Sequence, residues 1–330
     1  MRRSPRALAL LPFVLLPSLA ASGAAQAETY PDRPITMIVT AASGGVTDIV
    51  ARAFGQELSK DWGQPVVVEN RGGAAHILGA QAVAKATPDG YTLMVAEAGT
   101  FTINPTIYPK GKLPYDEDKD FIPISGLVRI NQALLADKSL PASNAAELIA
   151  LAKQKPGQLT YGTAGIGSAP HMNIELFESM AGVKFTPVHY RGAVPALNDV
   201  IGGSVNLMSI SVSLALPPFR AGQVKILGIG SEKRLPQVPD IATVAETGLP
   251  GYQAVAWFGL FGPAAMPRDI LGKLNAEVQH VFNDPGFRAR FLDPQIFESI
   301  AGPQPAFADF IKTEQKKWST VVHSANIRLD

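Results

Sequence analysis

Apolar and polar positions alternate in short runs that change period along the chain. Ile35–Thr40 is a compact apolar run of strand type, and Thr47–Lys60 spreads its apolar residues as a helix does. The pattern then repeats. Val66–Glu69, Thr92–Ala96, Leu159–Gly162, Thr186–His189 and Val205–Ile210 predict strands. Ile77–Ala86, Pro141–Lys155, Met172–Ala181 and Val194–Gly202 predict helices between them. Pro88-Asp-Gly90 and Pro156-Gly157 supply the turns that stop a helix before its next strand. Alternation on this scale predicts an α/β fold with parallel sheets covered by helices on both faces.

Phe121–Asn131 is a further strand, placed to cross from the first half to the second. A Pro- and Gly-rich stretch, 234–251, leads to the apolar strand Val255–Phe261 and to helices at Pro267–Val281, Pro285–Leu292 and Pro305–Ser324. That tail has no sheet of its own, so it is expected to pack back on the first half. A strand, a small-residue loop and a helix occur at Ile38 to Leu58 and again at Leu159 to Met180. Each is followed by an Arg-Gly step, at Arg71-Gly72 and Arg191-Gly192. Two ordinary βαβ units would look like this, and so would two similar lobes facing one another across a cleft.

The first residues change the picture of where the chain works. Arg2, Arg3 and Arg6 precede a mostly apolar stretch, 7–20, and Ala25-Gln26-Ala27 is a small-x-small cleavage site. This is the pattern of a secretory signal peptide cut after Ala27, with an apolar core too short to span a bilayer. Its loss leaves 303 of the 330 residues and turns 29 basic residues into 26 against 28 acidic ones, a formal charge of −2. A chain with no basic excess is a poor general binder of nucleic acid or anionic membrane. It has no cysteine, which removes thiolate chemistry and disulfides and leaves stability to the core. For a bacterial chain the destination is the periplasm.

The candidate chemistry lies in two loops. Ala41-Ala42-Ser43-Gly44-Gly45-Val46-Thr47-Asp48 joins a strand to a helix. At such a helix start the first N–H groups lack partners and the peptide dipoles add about half a positive charge. Gly44 and Gly45 admit close approach, Thr47 or Asp48 is placed to cap, and a carboxylate or phosphate fits without any lysine. Neither a Walker loop nor a dinucleotide fingerprint is present. Gly162-Thr-Ala-Gly-Ile-Gly-Ser-Ala-Pro-His171 is the second such loop, with Ser168 or Ala169 near the cap and Pro170 in the first turn.

Enzymatic signals are thin. There is no Gly-x-Ser-x-Gly elbow, and none of His76, His171, His189, His280 and His323 has metal-ligand spacing to another. His171 and His189 are placed to meet near the cleft, and a structural role bonded to backbone suits them as well. Arg191 is a candidate ligand contact, and Trp257 either lines a cleft or serves the core. No metal and no cofactor is expected.

An ordered set of short motifs resembles the Bug-type extracytoplasmic solute receptors, the tripartite tricarboxylate transporter receptor family. It comprises Tyr30-Pro-Asp-Arg-Pro-Ile35, Ser43-Gly-Gly-Val-Thr-Asp48, Gly63-Gln-Pro-Val-Val-Val-Glu-Asn-Arg71, Pro88-Asp-Gly-Tyr91, Asn104-Pro105 and Leu113-Pro-Tyr115. Tyr190-Arg-Gly192, Lys233-Arg234, Thr243-Val-Ala-Glu246 and Trp257-Phe-Gly259 continue it over the whole exported chain. The resemblance implies a two-lobed periplasmic binding protein fold of type II kind, each lobe a mainly parallel sheet with flanking helices, joined by two crossovers. Lobe 1 is then 28–127 with 250–330, and lobe 2 is 128–249.

The resemblance also implies a monomeric receptor that is not an enzyme. It would close on a small organic carboxylate and deliver it to the transmembrane subunits of a tripartite transporter. The loops matching Ala41–Asp48 and Thr163–His171 would cradle one carboxylate, partly through ordered waters. The implied contacts are Ala42, Ser43, Gly44, Gly45, Thr47, Asp48, Gly99 and Thr100 on one side. On the other are Thr163, Ala164, Gly167, Ser168, His171, Arg191, Ser209 and Trp257. The chain departs from the family pattern at Ala41-Ala42, at Arg191 and at Met208-Ser-Ile-Ser211, where an acid is common. Loss of that acid would admit a second carboxylate or a larger apolar body. A secreted α/β enzyme and a ligand-presenting sensor for a membrane regulator are the alternatives.

Overall fold

The computed structural model describes residues 30–327 apart from 42, 73–75, 110 and 326, so the signal segment and Ala42 lie outside the described residues. The chain begins with β1 (Ile35–Val39), α1 (Val46–Trp62), β2 (Val66–Asn70), α2 (Ile77–Ala84), β3 (Thr92–Glu97) and the short helices α3 (Ala98–Thr102) and α4 (Asn104–Ile107). The long strand β4 (Phe121–Asp137) follows. Next come α5 (Ala145–Gln154), β5 (Thr160–Thr163), α6 (Ala169–Ala181), β6 (Thr186–His189), α7 (Ala193–Ile201), β7 (Leu207–Ser211), α8 (Val212–Arg220) and β8 (Val224–Ile229). The tail holds α9 (Val244–Thr247), β9 (Val255–Pro263), α10 (Arg268–Asn283), α11 (Pro285–Phe287), a π-turn at Arg288–Leu292, α12 (Asp293–Gln295), β10 (Phe297–Ser299) and α13 (Gln304–Ser324).

β1 is buried on both faces, as parallel strands under helices are. It pairs in parallel with β2 and β3, and β5 pairs in parallel with β6 and β7. Val50, Phe54 and Leu58 recur every four residues on α1 and seal one side of β1 with Phe282 from α10. The sheet order is β2-β1-β3-β9-β4-β7-β5-β6, with β8 and β10 also on β4. β4 therefore belongs to both lobes. Its residues up to Asn131 pair with β9, and its residues from Gln132 onward pair with β7 and β8.

The return crossing lies against the same point. Gly230 N–H donates to Gln132 O (2.7 Å), Ala254 N–H to Gly230 O (2.9 Å), and Gln132 N–H to Ala254 O (3.3 Å). A Cβ on Gly230 would stand 2.6 Å from Ala254 O, so only glycine lets the two crossings lie side by side.

Three expectations change. The tail does not pack on the first lobe alone. α13 puts Phe307 and Ile311 against Trp257, and Trp318, Val321 and Val322 into the second-lobe core with Met172 and Phe177. A helix of 21 residues spans about 32 Å, enough to reach both. The Pro141 helix starts only at Ala145, because Asn144 caps it by accepting from Glu147 N–H (2.9 Å). Finally, β8 and α8 go beyond the predicted elements: α8 carries Pro217 and Pro218, which interrupt a helical pattern in sequence. Among the described residues no helix is long and apolar enough to cross a membrane.

Candidate functional site

The first loop follows β1 and turns through Gly44, at φ +83°. Gly45, not Thr47 or Asp48, is the N-cap of α1, and no side chain caps the helix. Asp48 instead folds back on the loop: Gly44 N–H donates to its Oδ2 (2.9 Å), as does the Ser43 hydroxyl (3.3 Å). Arg52 Nε forms an ion pair with Oδ1 at 2.9 Å. Burial works against the Asp48 charge, but Arg52 and the Gly44 N–H outweigh it and hold the pKa at about 2. Gly44 therefore spends its donor inside the loop. The first-turn amides of α1 are left to face outward.

The second loop has the same plan with neutral parts. Gly167 sits at φ +75° and its N–H donates to His171 Nδ1 (3.1 Å), four residues on. That fixes the His171 proton on Nε2, which faces Glu175 Oε1 at 3.6 Å. Burial keeps the His171 pKa below its ordinary value, and the nearby Glu175 carboxylate only partly opposes this. The Thr163 hydroxyl accepts from Gly165 N–H (3.2 Å) and bonds His189 Nδ1 (2.8 Å), and the His171 and His189 rings meet edge to face at 5.4 Å. Ser168 is the N-cap of α6, yet its hydroxyl donates to Gly165 O (2.6 Å) rather than capping the helix.

A cleft of about 520 Å³ opens between these loops. Gly45, Val46 and Thr47 of α1 line it, with His76 at the start of α2, Ala98 and Gly99 of α3, Ser168 to Pro170 of α6, Ala193 of α7, and Ser211 and Leu214 at α8. Six helix starts thus converge on one cavity. Ile103, Ile107, Met172, Ile210, Val255, Phe258 and Trp318 give the wall its apolar part, and Glu97 a carboxylate. Asn104, Gln132 and Asn173 add amides.

Of the residues expected at the site, Gly45, Thr47, Gly99, Ala164, Gly167 and Ser168 line the cleft. Ser43, Gly44, Asp48, Thr163 and His171 stand behind it and hold the two loops. Ser209 is buried and accepts from the cleft residue Asn173 (3.1 Å). Thr100, Arg191 and Trp257 are not brought to the cleft. Thr100 is wholly buried and Arg191 is exposed. Trp257 points to the far side of β9, between Phe307 and Phe310, and donates to Glu314 Oε2 (3.2 Å). Phe101 likewise stacks on Phe261 in the core. Ala42 is outside the described residues.

His76 and Glu97 bring the cleft its charged side chains. His76 Nδ1 donates to Thr40 O (2.9 Å) and its Nε2 lies 2.7 Å from Glu97 Oε1. With an acceptor on each ring nitrogen, the imidazolium is the form that satisfies both. Burial disfavours that charge, and the Glu97 carboxylate more than offsets it, so the His76 pKa is raised and that of Glu97 lowered.

The sequence profile described as tripartite tricarboxylate transporter family receptor matches residues 50–327. The chain belongs to that receptor family. Among solved structures, it is 33% identical to R. palustris Rpa4515 with adipate (TM-score 0.78, covering 91% of this chain and 99% of that one). It is 36% identical to MatC (Rpa3494) from Rhodopseudomonas palustris with bound malate (TM-score 0.74, 89% and 100%). It is 31% identical to the periplasmic binding protein BugD (TM-score 0.74, 91% and 99%). The fold is therefore the two-lobed periplasmic binding protein fold, and the family is one of solute receptors rather than enzymes.

In this receptor Glu97 offsets the His76 charge and no Lys or Arg lines the cleft among the described residues, so the helix starts are its main source of positive potential. Such a surface grips an anion by fixed amides and leaves an apolar space beyond. His76, Asn104, Gln132 and Trp318 are the residues that sequence reasoning missed. They lie on four separated segments, and no motif spacing connects them.

Proposed function

We propose that this chain is a periplasmic receptor that captures a small organic carboxylate between its lobes and delivers it to the transmembrane subunits of a tripartite tricarboxylate-type transporter. The observation that carries this is the convergence of helix starts from both lobes on one cleft that has no Lys or Arg among its described residues. The adipate and malate held by Rpa4515 and MatC support the ligand class. The proposed division is 28–127 with 250–330 against 128–249, hinged where β4 crosses, and the receptor acts as a monomer. Ser43 to Asp48 and Thr163 to His171 form the carboxylate cradle, with Gly99 beside it. Arg191 would reach the ligand only as the lobes close. Residues 1–27 are removed at export, and the ligand is bound without turnover.

The test is a thermal-shift panel of C4 to C8 diacids, citrate, acidic amino acids and benzoate-type acids on protein first unfolded and refolded to strip carried ligand. A hundredfold excess over Kd adds about 2.7 kcal/mol to the native state. A clear shift with one acid, no turnover of it, and loss of its uptake on deletion of the chain support the receptor. No shift with any acid overturns carboxylate capture. Turnover of the acid would overturn the claim that the chain only carries it.

A further inference from the structure

Glu97 is a carboxylate in a cleft otherwise built to attract carboxylates. It ends β3 and precedes α3, and its side chain makes no capping bond to that helix. Its partner is His76, which holds Oε1 at 2.7 Å and is itself anchored to Thr40 O. Glu97 Oε2 has no hydrogen-bond partner among the described residues, and the side chain is 36% exposed where it lines the cleft. His76 carries the arrangement at φ +73°, a left-handed conformation that a non-glycine residue adopts only when its surroundings hold it there. The pair is thus an oriented acceptor presented to the cavity: His76 offsets the charge through Oε1 and leaves Oε2 to the cleft.

We propose that Glu97, oriented by His76, is a specificity determinant of the cleft: it accepts a hydrogen bond from a hydroxyl or ammonium group on the ligand and keeps a further carboxylate away from that wall. An ionised carboxylate only accepts, so the group that meets Oε2 must be a donor. A charge-assisted bond of this kind is among the stronger ones, and a carboxylate set against Oε2 would be repelled. The ligand class is then a hydroxy- or amino-substituted carboxylate, with the unsubstituted acid as the weaker ligand. This rests on the carboxylate-receptor reading above.

The experiment measures Kd by calorimetry for two matched series on refolded receptor. Succinate, L-malate and L-aspartate differ only by H, OH and NH3+ at one carbon. So do 3-phenylpropionate, L-3-phenyllactate and L-phenylalanine. The substituted member of at least one series is expected to bind at least tenfold tighter than its parent. Glu97→Gln should shrink that ratio for the ammonium ligand, Glu97→Ala should bring it to within about threefold for both substituents, and His76→Gln should shrink it less. Thermal unfolding of each apo variant checks that it folds. Carboxylate binding with a ratio that Glu97→Ala leaves intact, or equal weakening of parent and substituted ligand, overturns the role of Glu97 alone. Binding of another acid of the thermal-shift panel with none of the six bound overturns this inference alone, and no binding by any acid of that panel overturns the carboxylate reading as well.

Discussion

The two cleft loops solve one problem with different chemistry. In each, a glycine with positive φ donates its N–H to a side chain four residues later: Gly44 to Asp48 and Gly167 to His171. In the first lobe the acceptor is a buried carboxylate with an arginine partner, held at a pKa of about 2. In the second it is a buried neutral imidazole. Both arrangements pin the loop without using the first amides of the following helix. The first adds a negative charge near the proposed carboxylate cradle, and Arg52 compensates it. The second adds none. A loop can therefore be fixed by a charged or a neutral acceptor, provided the fixing group stands behind the cavity wall.

Removing the charged clamp should have the largest effect. Asp48→Ala strands the Gly44 N–H and the Ser43 hydroxyl, and hydrogen bonds to charged groups carry about 1.5–3 kcal/mol. We expect about 2–3 kcal/mol less stability in urea unfolding and at least tenfold weaker carboxylate binding. A cost below about 0.5 kcal/mol would mean the carboxylate does not hold the loop. The glycines come next. Alanine in the left-handed region costs about 1–2 kcal/mol. Gly44→Ala meets nothing within 4 Å, whereas the new methyl in Gly167→Ala meets Ile107 Cδ1 at 3.4 Å. That is an ordinary van der Waals distance, so thermal unfolding should show both destabilised by similar amounts. Equal stability to wild type at either site would break the proposed equivalence of the loops.

Acid should separate the two clamps. His171 has a depressed folded pKa, so its contribution is complete above its ordinary 6.5 and is lost as pH falls below that. Asp48 is also depressed, but its contribution persists down to its ordinary 3.8 and is lost only toward about 2. Between pH 7 and 4.5, hydrogen exchange corrected for intrinsic rates should rise first in residues 163–172 while 43–49 stay protected. The reverse order would contradict the assignment of a neutral imidazole. The smallest effect should be at Arg191, exposed and apart from the cleft: Arg191→Ala is expected to change stability by less than about 0.5 kcal/mol. Any larger effect should appear only in ligand affinity, as contact on closure would require.

Much of the fold was legible because its signals are local. β1 and α1 differ in apolar period within a few residues, and the small-residue loop between them can be seen without knowing what it faces. The internal repeat was legible too, but its register was not. Gly44 precedes Arg71 by 27 residues and Gly165 precedes Arg191 by 26, so spacing aligns these two glycines, while the hydrogen bonds align Gly44 with Gly167. Trp257 was placed on the correct strand with its face left open, because alternation gives two faces and only packing against Phe307 and Phe310 chooses between them. α8 was hidden by Pro217 and Pro218.

By itself the amino-acid sequence determined the α/β alternation, the two loops that start α1 and α6, and membership of the receptor family. These depend on residues close together in the chain or on an ordered string of motifs. Only the tertiary structure decided what fills the cleft wall. His76 meets Glu97 because the start of α2 lies beside the end of β3, and Trp318 reaches the same cavity from near the end of α13. Contacts between distant segments are set by how sheets and helices pack, and no local period encodes them.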